Sequence, residues 1–204
     1  MLLYKLIKLL SNNNEYVLSI LSITLIIIET FLIINIINNS KIVREETFIS
    51  GYIYLLIMFA LPNNLIPHPV IFANLFLLLS LREIFILWDI KNNYSNLFNT
   101  GIYVSISSLF YLPSAITLIF VYLSLIVYTT YKWREWVIPL MGFLLPYLYV
   151  FLYYYFINDI RSIENIFSSF KFTPHLFLPE NKYQIIYYIF IVIITLIGIF
   201  SLLN

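Results

Sequence analysis

The chain has 204 residues, of which 62% are hydrophobic and only 10% are charged. A soluble globular domain has about 45–50% apolar and about 25% charged residues, so this composition excludes a soluble enzyme, a disordered tail and a coiled coil. The formal net charge of +1 provides no cluster of positive charge for a nucleic acid to bind. The sequence therefore predicts an integral membrane protein whose main partner is the lipid bilayer.

Cysteine and histidine are too scarce for most metal chemistry. The chain has no Cys and two His, which excludes disulfides, thiolate metal sites and cysteine nucleophiles. The two histidines, His68 and His175, are far apart and lack the spacing of metal ligands on one helix. We therefore expect no metal and no cofactor.

Runs of sequence without charge locate the membrane segments, because a charge at mid-bilayer costs roughly 2.5–3.5 kcal/mol. These runs are residues 16–37 (where Glu29 is the single charge), 47–81, 92–131, 137–157 and 183–204. The two longest are interrupted by proline, which removes a backbone donor and disfavours helix before it.

Each long run therefore predicts a helical hairpin with an uncharged turn. The turns are the stretch from Pro62 to Pro69 and the stretch around Pro113. The expected helices are residues 48–61 and 70–88 in the first hairpin, and 97–111 and 114–131 in the second. The total is about seven membrane segments.

We thus expect a single all-α transmembrane domain over residues 1–204, a polytopic helical bundle. Residues 1–15 form an interfacial N-terminal segment, with Lys5 and Lys8 on one side of a leucine-rich helix. Residues 158–182 form an amphipathic loop outside the membrane. Lys and Arg collect in the first, third and fifth loops, which predicts that these loops are cytoplasmic and that the N-terminus is outside.

Glu29 is the strongest candidate for function in the spans. A carboxyl group there must pair, take up a proton or face a cavity, and is a functional candidate by default. The alternative is a neutral Glu that is hydrogen-bonded to a neighbouring helix. By contrast, Gly101, Ser105 and Ser108 form a stripe of small residues at helical spacing, which favours close helix packing.

Residues 61–156 carry a family resemblance. The matching motifs are Leu61-Pro62, Ala73-Asn74-Leu75-Phe76, Leu81-Arg82, Asn99-Thr100-Gly101 and Trp133-Arg134-Glu135-Trp136. They resemble a Bacteroidota family of polytopic inner-membrane proteins that is known only as a domain of unknown function. This resemblance implies an inner-membrane location and no established chemistry.

The same stretch is similar, more distantly, to the membrane module of polyprenyl-sugar-dependent glycosyltransferases of the C superfamily. The acidic position of that module corresponds here to Asn74, which argues for a scaffold or an inactive relative. If the chain is such a transferase, its working residues would be Asp159 or Glu164 as base, Arg161 or Lys171 for the diphosphate, and His68 as an aid.

Three functions follow from these observations. The leading hypothesis is a non-enzymatic accessory or scaffold subunit in an envelope or lipid-handling process, with other membrane proteins as partners. The second is a reduced glycosyltransferase-like module that uses a polyprenyl-linked sugar. The third is a small transporter in which Glu29 binds an ion or a proton, which the proline-interrupted helices favour.

Overall fold

The structure, a computed structural model, describes residues 2–12, 14–40, 48–59, 68–89, 94–128 and 133–157 and the single positions 189 and 192. These residues form an all-α bundle of seven α-helices without a β-strand, which confirms the expected fold class. The α-helices are α1 Leu2–Leu10, α2 Glu15–Asn39, α3 Ile49–Phe59, α4 Pro69–Asp89, α5 Tyr94–Phe110, α6 Thr117–Tyr128 and α7 Trp133–Phe156.

Three of the described helices are long and apolar enough to cross a membrane. They are α2, the part of α4 over Pro69–Leu87, and α7. The 25 residues of α2 extend over about 37 Å at about 1.5 Å per residue, more than the hydrocarbon core of about 30 Å. These helices fit a membrane protein. The total of seven membrane segments stays a prediction, because residues 183–204 lie almost entirely outside the described part.

The interruption expected near Pro113 is confirmed. Helix α5 ends at Phe110, and a 3₁₀ helix over Leu112–Ile116 leads into α6. Proline has no N–H to donate and disfavours α-helix at the residue before it, so the chain makes a tighter turn there. As a result α6 begins at Thr117, three residues after the expected start at residue 114, and it is described as far as Tyr128. Of the first proline-rich turn, predicted from Pro62 to Pro69, residues 62–67 lie outside the described residues, and Pro69 is the first residue of α4.

The bundle has a simple order of neighbours. Helix α3 packs on α2, α2 packs on α4, α4 packs on α5, and α5 packs on α7. The most extensive contacts are those of α5 with α4 and α7, while α6 touches all three. Helix α5 is therefore the centre of the described fold, and the α2–α3–α4 side and the α5–α7 side can be compared as two regions.

The α5–α7 region is a close approach of two backbones, which we call the glycine crossing (Gly101 and Gly142). A Cβ atom on Gly101 would lie 2.9 Å from the amide nitrogen of Phe143 and nearer still to the carbonyl oxygen of Pro139. A Cβ atom on Gly142 would lie 3.2 Å from the carbonyl carbon of Phe98 and nearer still to its oxygen. The packing role predicted for Gly101 is confirmed.

Serine hydroxyls of α5 form hydrogen bonds with both neighbouring helices, α4 and α7. Ser107 Oγ donates to the carbonyl oxygen of Ala73 on α4 at 2.9 Å and lies 2.9 Å from Ser114 Oγ. Ser108 Oγ lies 2.7 Å from Tyr147 Oη on α7. Small polar residues thus join membrane helices by close packing and by hydrogen bonds together.

Candidate functional site

Glu29 lies on the buried face of α2. Its exposed fraction is 0%, and it shares this face with Leu18, Ser22, Ile26 and Thr30, which are also buried. The spacing of these residues follows the α-helical repeat, so they form one stripe along the helix. The acid is therefore directed into the bundle and away from the surrounding lipid.

Helix α3 approaches this stripe at a glycine. A Cβ atom on Gly51 would lie 2.7 Å from Ile34 Cγ1 and 3.0 Å from Thr30 Cγ2, so the absence of a side chain brings the two helices together. Tyr54 lies three residues after Gly51 and on the same side of α3. Its hydroxyl donates a hydrogen bond to Glu29 Oε2.

Asn74 of α4 completes a chain of hydrogen bonds. Its Nδ2 donates to Tyr54 Oη at 3.0 Å. A phenol has one proton and an amide NH₂ group can only donate, so the Tyr54 proton is directed to Glu29. We call Glu29, Tyr54 and Asn74 the polar contact; it joins α2, α3 and α4 through side chains.

One carboxyl oxygen of the polar contact has no hydrogen-bond partner among the described residues. This oxygen, Glu29 Oε1, is buried. An ionised carboxylate in an apolar interior is very costly unless it is paired, and otherwise the group becomes neutral by taking up a proton. The arrangement can therefore hold one proton on Oε1.

The structure brings together two of the residues singled out in the sequence, Glu29 and Asn74. The sequence did not predict a contact between them, and it did not single out Tyr54, which links them. Tyr54 is one of 18 tyrosines, so its residue type alone carries no signal. A usable signal was its position three residues after Gly51, the single glycine in the run over residues 47–81.

His68 has a different place, directly before α4. Its Nδ1 accepts a hydrogen bond from the backbone N–H of Val70 at 3.3 Å, as an N-cap residue does, and Pro69 occupies the first helical position. Asn74 lies six residues on, about 9 Å along the helix axis. Partial burial lowers the pKa of the His68 imidazole, which favours the neutral form that accepts this hydrogen bond.

The remaining site candidates, Asp159, Arg161, Glu164 and Lys171, lie outside the described residues. Their proposed roles in a glycosyltransferase stay predictions. In the transferase interpretation Asn74 stands at the acidic position, and its amide is hydrogen-bonded to Tyr54. Within the ranges that the structure describes, no three His, Asp or Glu side chains are grouped so as to hold a metal ion.

Comparison of the chain with family models, with curated proteins and with solved structures gave no match. The resemblance to the Bacteroidota family therefore stays a prediction based on the motifs quoted above.

Proposed function

We propose that this membrane protein is a non-enzymatic accessory or scaffold subunit of the inner membrane, in an envelope or lipid-handling process. One observation supports this most directly: several buried polar side chains of the described helices are bonded to neighbouring helices of the same chain. Examples are the polar contact and the Ser108–Tyr147 pair. Polar groups used in this way stabilise a bundle that can hold a partner.

The outer surface of the described helices supports the same proposal. Large apolar side chains such as Ile20 on α2, Phe120 on α6 and Leu148 on α7 are each more than half exposed. In a membrane such faces contact lipid or the helices of another protein. A scaffold function requires that at least one of them contacts a partner.

Photo-crosslinking in cells tests this requirement. A photoreactive amino acid is placed at Ile20, Phe120 or Leu148, and at Val121 as a matched control whose side chain is 2% exposed on α6. We expect one of the exposed positions to give a discrete product with another membrane protein, and the control to give none. Products with lipid alone from all three faces would contradict the scaffold function.

Topology is tested separately with single cysteines, since the chain has no native Cys. Asn64 and Asn93 belong to the predicted turns on either side of the span that includes α4. Cysteines at these two positions should react with a membrane-impermeant thiol reagent from opposite sides. Labelling from one side only would contradict the predicted multi-pass hairpin.

A second candidate function, an ion or proton site of a small transporter, is favoured by the unpartnered Oε1 of Glu29. Infrared spectroscopy tests it, because a protonated carboxyl group absorbs apart from a carboxylate. In reconstituted protein we expect a carboxyl band that appears and disappears with pH and is missing in Glu29→Gln. A band that pH never changes, together with an unaltered phenotype of Glu29→Gln in cells, would leave Glu29 as a packing residue.

A further inference from the structure

Helix α1 is attached to one end of the bundle. Leu3, Tyr4 and Ile7 pack against a cluster that includes Phe72 and Phe110, and the Tyr4 and Phe72 rings meet edge to face at 5.7 Å. Phe72 lies in the first turn of α4 and Phe110 is the last residue of α5. The cluster is therefore at the end of the bundle where α4 begins and α5 ends.

The rest of α1 has two further faces of different chemistry. Leu6, Leu9 and Leu10 are 47%, 69% and 87% exposed, and Lys5 and Lys8 are exposed as well. At about 100° per residue the three leucines fall within about 100° of one another, and the lysines fall within about 60° of each other on the opposite flank of the bundle-facing stripe. The helix thus has one face for the bundle, one apolar outer face and one basic face.

We propose that α1 is an interfacial helix that binds the headgroups of anionic phospholipids through Lys5 and Lys8. The apolar outer face then enters the acyl boundary beside the bundle, and the basic face remains at headgroup depth. A helix at the end of membrane-crossing helices can then contact three environments at once. Its first face packs on the bundle, its apolar face contacts the hydrocarbon, and its basic face contacts the charged membrane surface. This inference is independent of the proposed function, because it holds for a scaffold and for a transporter.

Charge complementarity identifies the occupant as anionic lipid. Helix α1 has no acidic residue, and Lys8 lies in its last turn, where a cation also interacts favourably with the helix dipole. Residues 111–116, which follow α5 at this end, have no charged residue, and the sequence of residues 60–67 has none either. The next acidic residue along the chain is Glu15, which is exposed at the start of α2.

Lipid binding here would also act on the interior of the bundle. The cluster on which α1 packs also includes Ala73, whose carbonyl oxygen accepts the hydrogen bond from Ser107. Asn74 of the polar contact is the next residue along α4. A lipid that holds α1 in place therefore stabilises the segment of α4 that contacts both α2 and α5. We expect anionic lipid to raise the thermal stability of the whole bundle.

The experiment uses the full chain in nanodiscs of phosphatidylcholine with or without phosphatidylglycerol. A spin-labelled phosphatidylglycerol and a spin-labelled phosphatidylcholine report the fraction of lipid that the protein immobilises. We expect a preference for phosphatidylglycerol that decreases with salt and that falls about fivefold for each lysine removed in Lys5→Gln and Lys8→Gln. The Lys5→Arg/Lys8→Arg variant should keep the preference, because it keeps both charges.

Arg134→Gln is the matched control, since it removes an exposed cation at the start of α7 and leaves α1 unchanged. The proposal is supported if the preference and the gain in thermal stability are lost in the double Gln variant and retained in the Arg134 variant. An equal preference in the double Gln variant, or no preference in the native chain, would overturn it. A preference lost to the same extent in Arg134→Gln would also overturn it, because binding would then follow net charge and not α1.

Discussion

The two sides of α5 are built in opposite ways. At the glycine crossing, α5 and α7 meet because side chains are absent, and backbone atoms of Pro139 and Phe98 occupy the space. At the polar contact, α2, α3 and α4 meet through long side chains that end in Glu29, Tyr54 and Asn74. The first region has no room for an added Cβ atom, whereas the second is joined by the ends of long side chains. Buried polar atoms without a partner among the described residues lie on both sides, Glu29 Oε1 on α2 and Ser105 Oγ and Glu135 Oε2 on α5 and α7.

This difference separates a structural contact from a candidate site. Close packing of small residues is an ordinary way for membrane helices to associate, since lipid provides no hydrophobic force between them. Packing alone does not require a buried carboxyl group, and an apolar residue of similar size would fill the space at lower cost. The polar contact is therefore where the second candidate function, an ion or proton site, would lie.

The largest effect is expected at the glycine crossing. Gly101→Ala or Gly142→Ala forces two backbones apart, and we expect each to lower the free energy of unfolding by about 3 kcal/mol. Titration with SDS of the protein in mild detergent, followed by circular dichroism, measures this. Gly51→Ala is the matched control: a Cβ atom there meets side-chain atoms of Ile34 and Thr30, which can move, so about 1 kcal/mol is expected. An equal loss in all three variants would contradict the distinction between the two regions.

The next effect is expected at the polar contact. Tyr54→Phe removes the donor to Glu29 Oε2 and leaves a buried carboxyl group without a hydrogen bond in the described part, which should cost about 1–3 kcal/mol. Glu29→Leu alone leaves the Tyr54 hydroxyl without its acceptor, while the double variant removes both. In a double-mutant cycle by the same SDS titration we expect the double variant to lose less than the sum of the single variants. Strict additivity would show that the two side chains do not interact.

A smaller effect is expected for the serine that supports the glycine crossing. Ser108→Ala removes the contact with Tyr147 Oη and should cost about 0.6 kcal/mol, the average for hydrogen bonds between membrane helices. Ser105→Ala is the control on the same helix, because Ser105 Oγ is buried without a hydrogen-bond partner among the described residues. We expect this control to be neutral or stabilising by SDS titration. A larger loss from Ser105→Ala than from Ser108→Ala would contradict this assignment.

The smallest effect is expected at the start of α4, the helix of the α2–α3–α4 side that packs on α5. The pKa of His68 is lowered in the folded protein, so the unfolded chain takes up a proton first as the pH falls below its ordinary value of about 6.5. Stability from the neutral cap is therefore complete above this pH and decreases as the pH falls through the lowered pKa. Melting temperatures between about pH 5 and about pH 8 should depend less on pH in His68→Asn, which keeps a cap acceptor. If His175→Asn alone weakened the pH dependence of the melting temperature to the same extent, the role of His68 would be contradicted.

Much of the fold could be predicted from charge and proline alone. Uncharged runs located the helices because a charge inside the bilayer is costly, and Pro113 marked the end of α5 because proline disfavours helix at the residue before it. Proline alone is not decisive, since Pro139 and Pro146 lie inside α7. Helix lengths were less predictable. The late start of α6 at Thr117 depends on the 3₁₀ turn over Leu112–Ile116. Ser107 contacts this turn through Ser114, and such a tertiary contact has no local signal in the sequence.

The sequence by itself determined that this chain is a helical membrane protein with one acid, Glu29, well inside an apolar span. Only the tertiary structure decided that the acid faces the bundle, that Tyr54 and Asn74 reach it, and that one of its oxygens has no partner in the described part. The physical reason is that the cost of a charge in lipid depends on residue type and can be read along the chain. Hydrogen bonds between helices depend on rotation and distance, which close approach at Gly51 sets for α3.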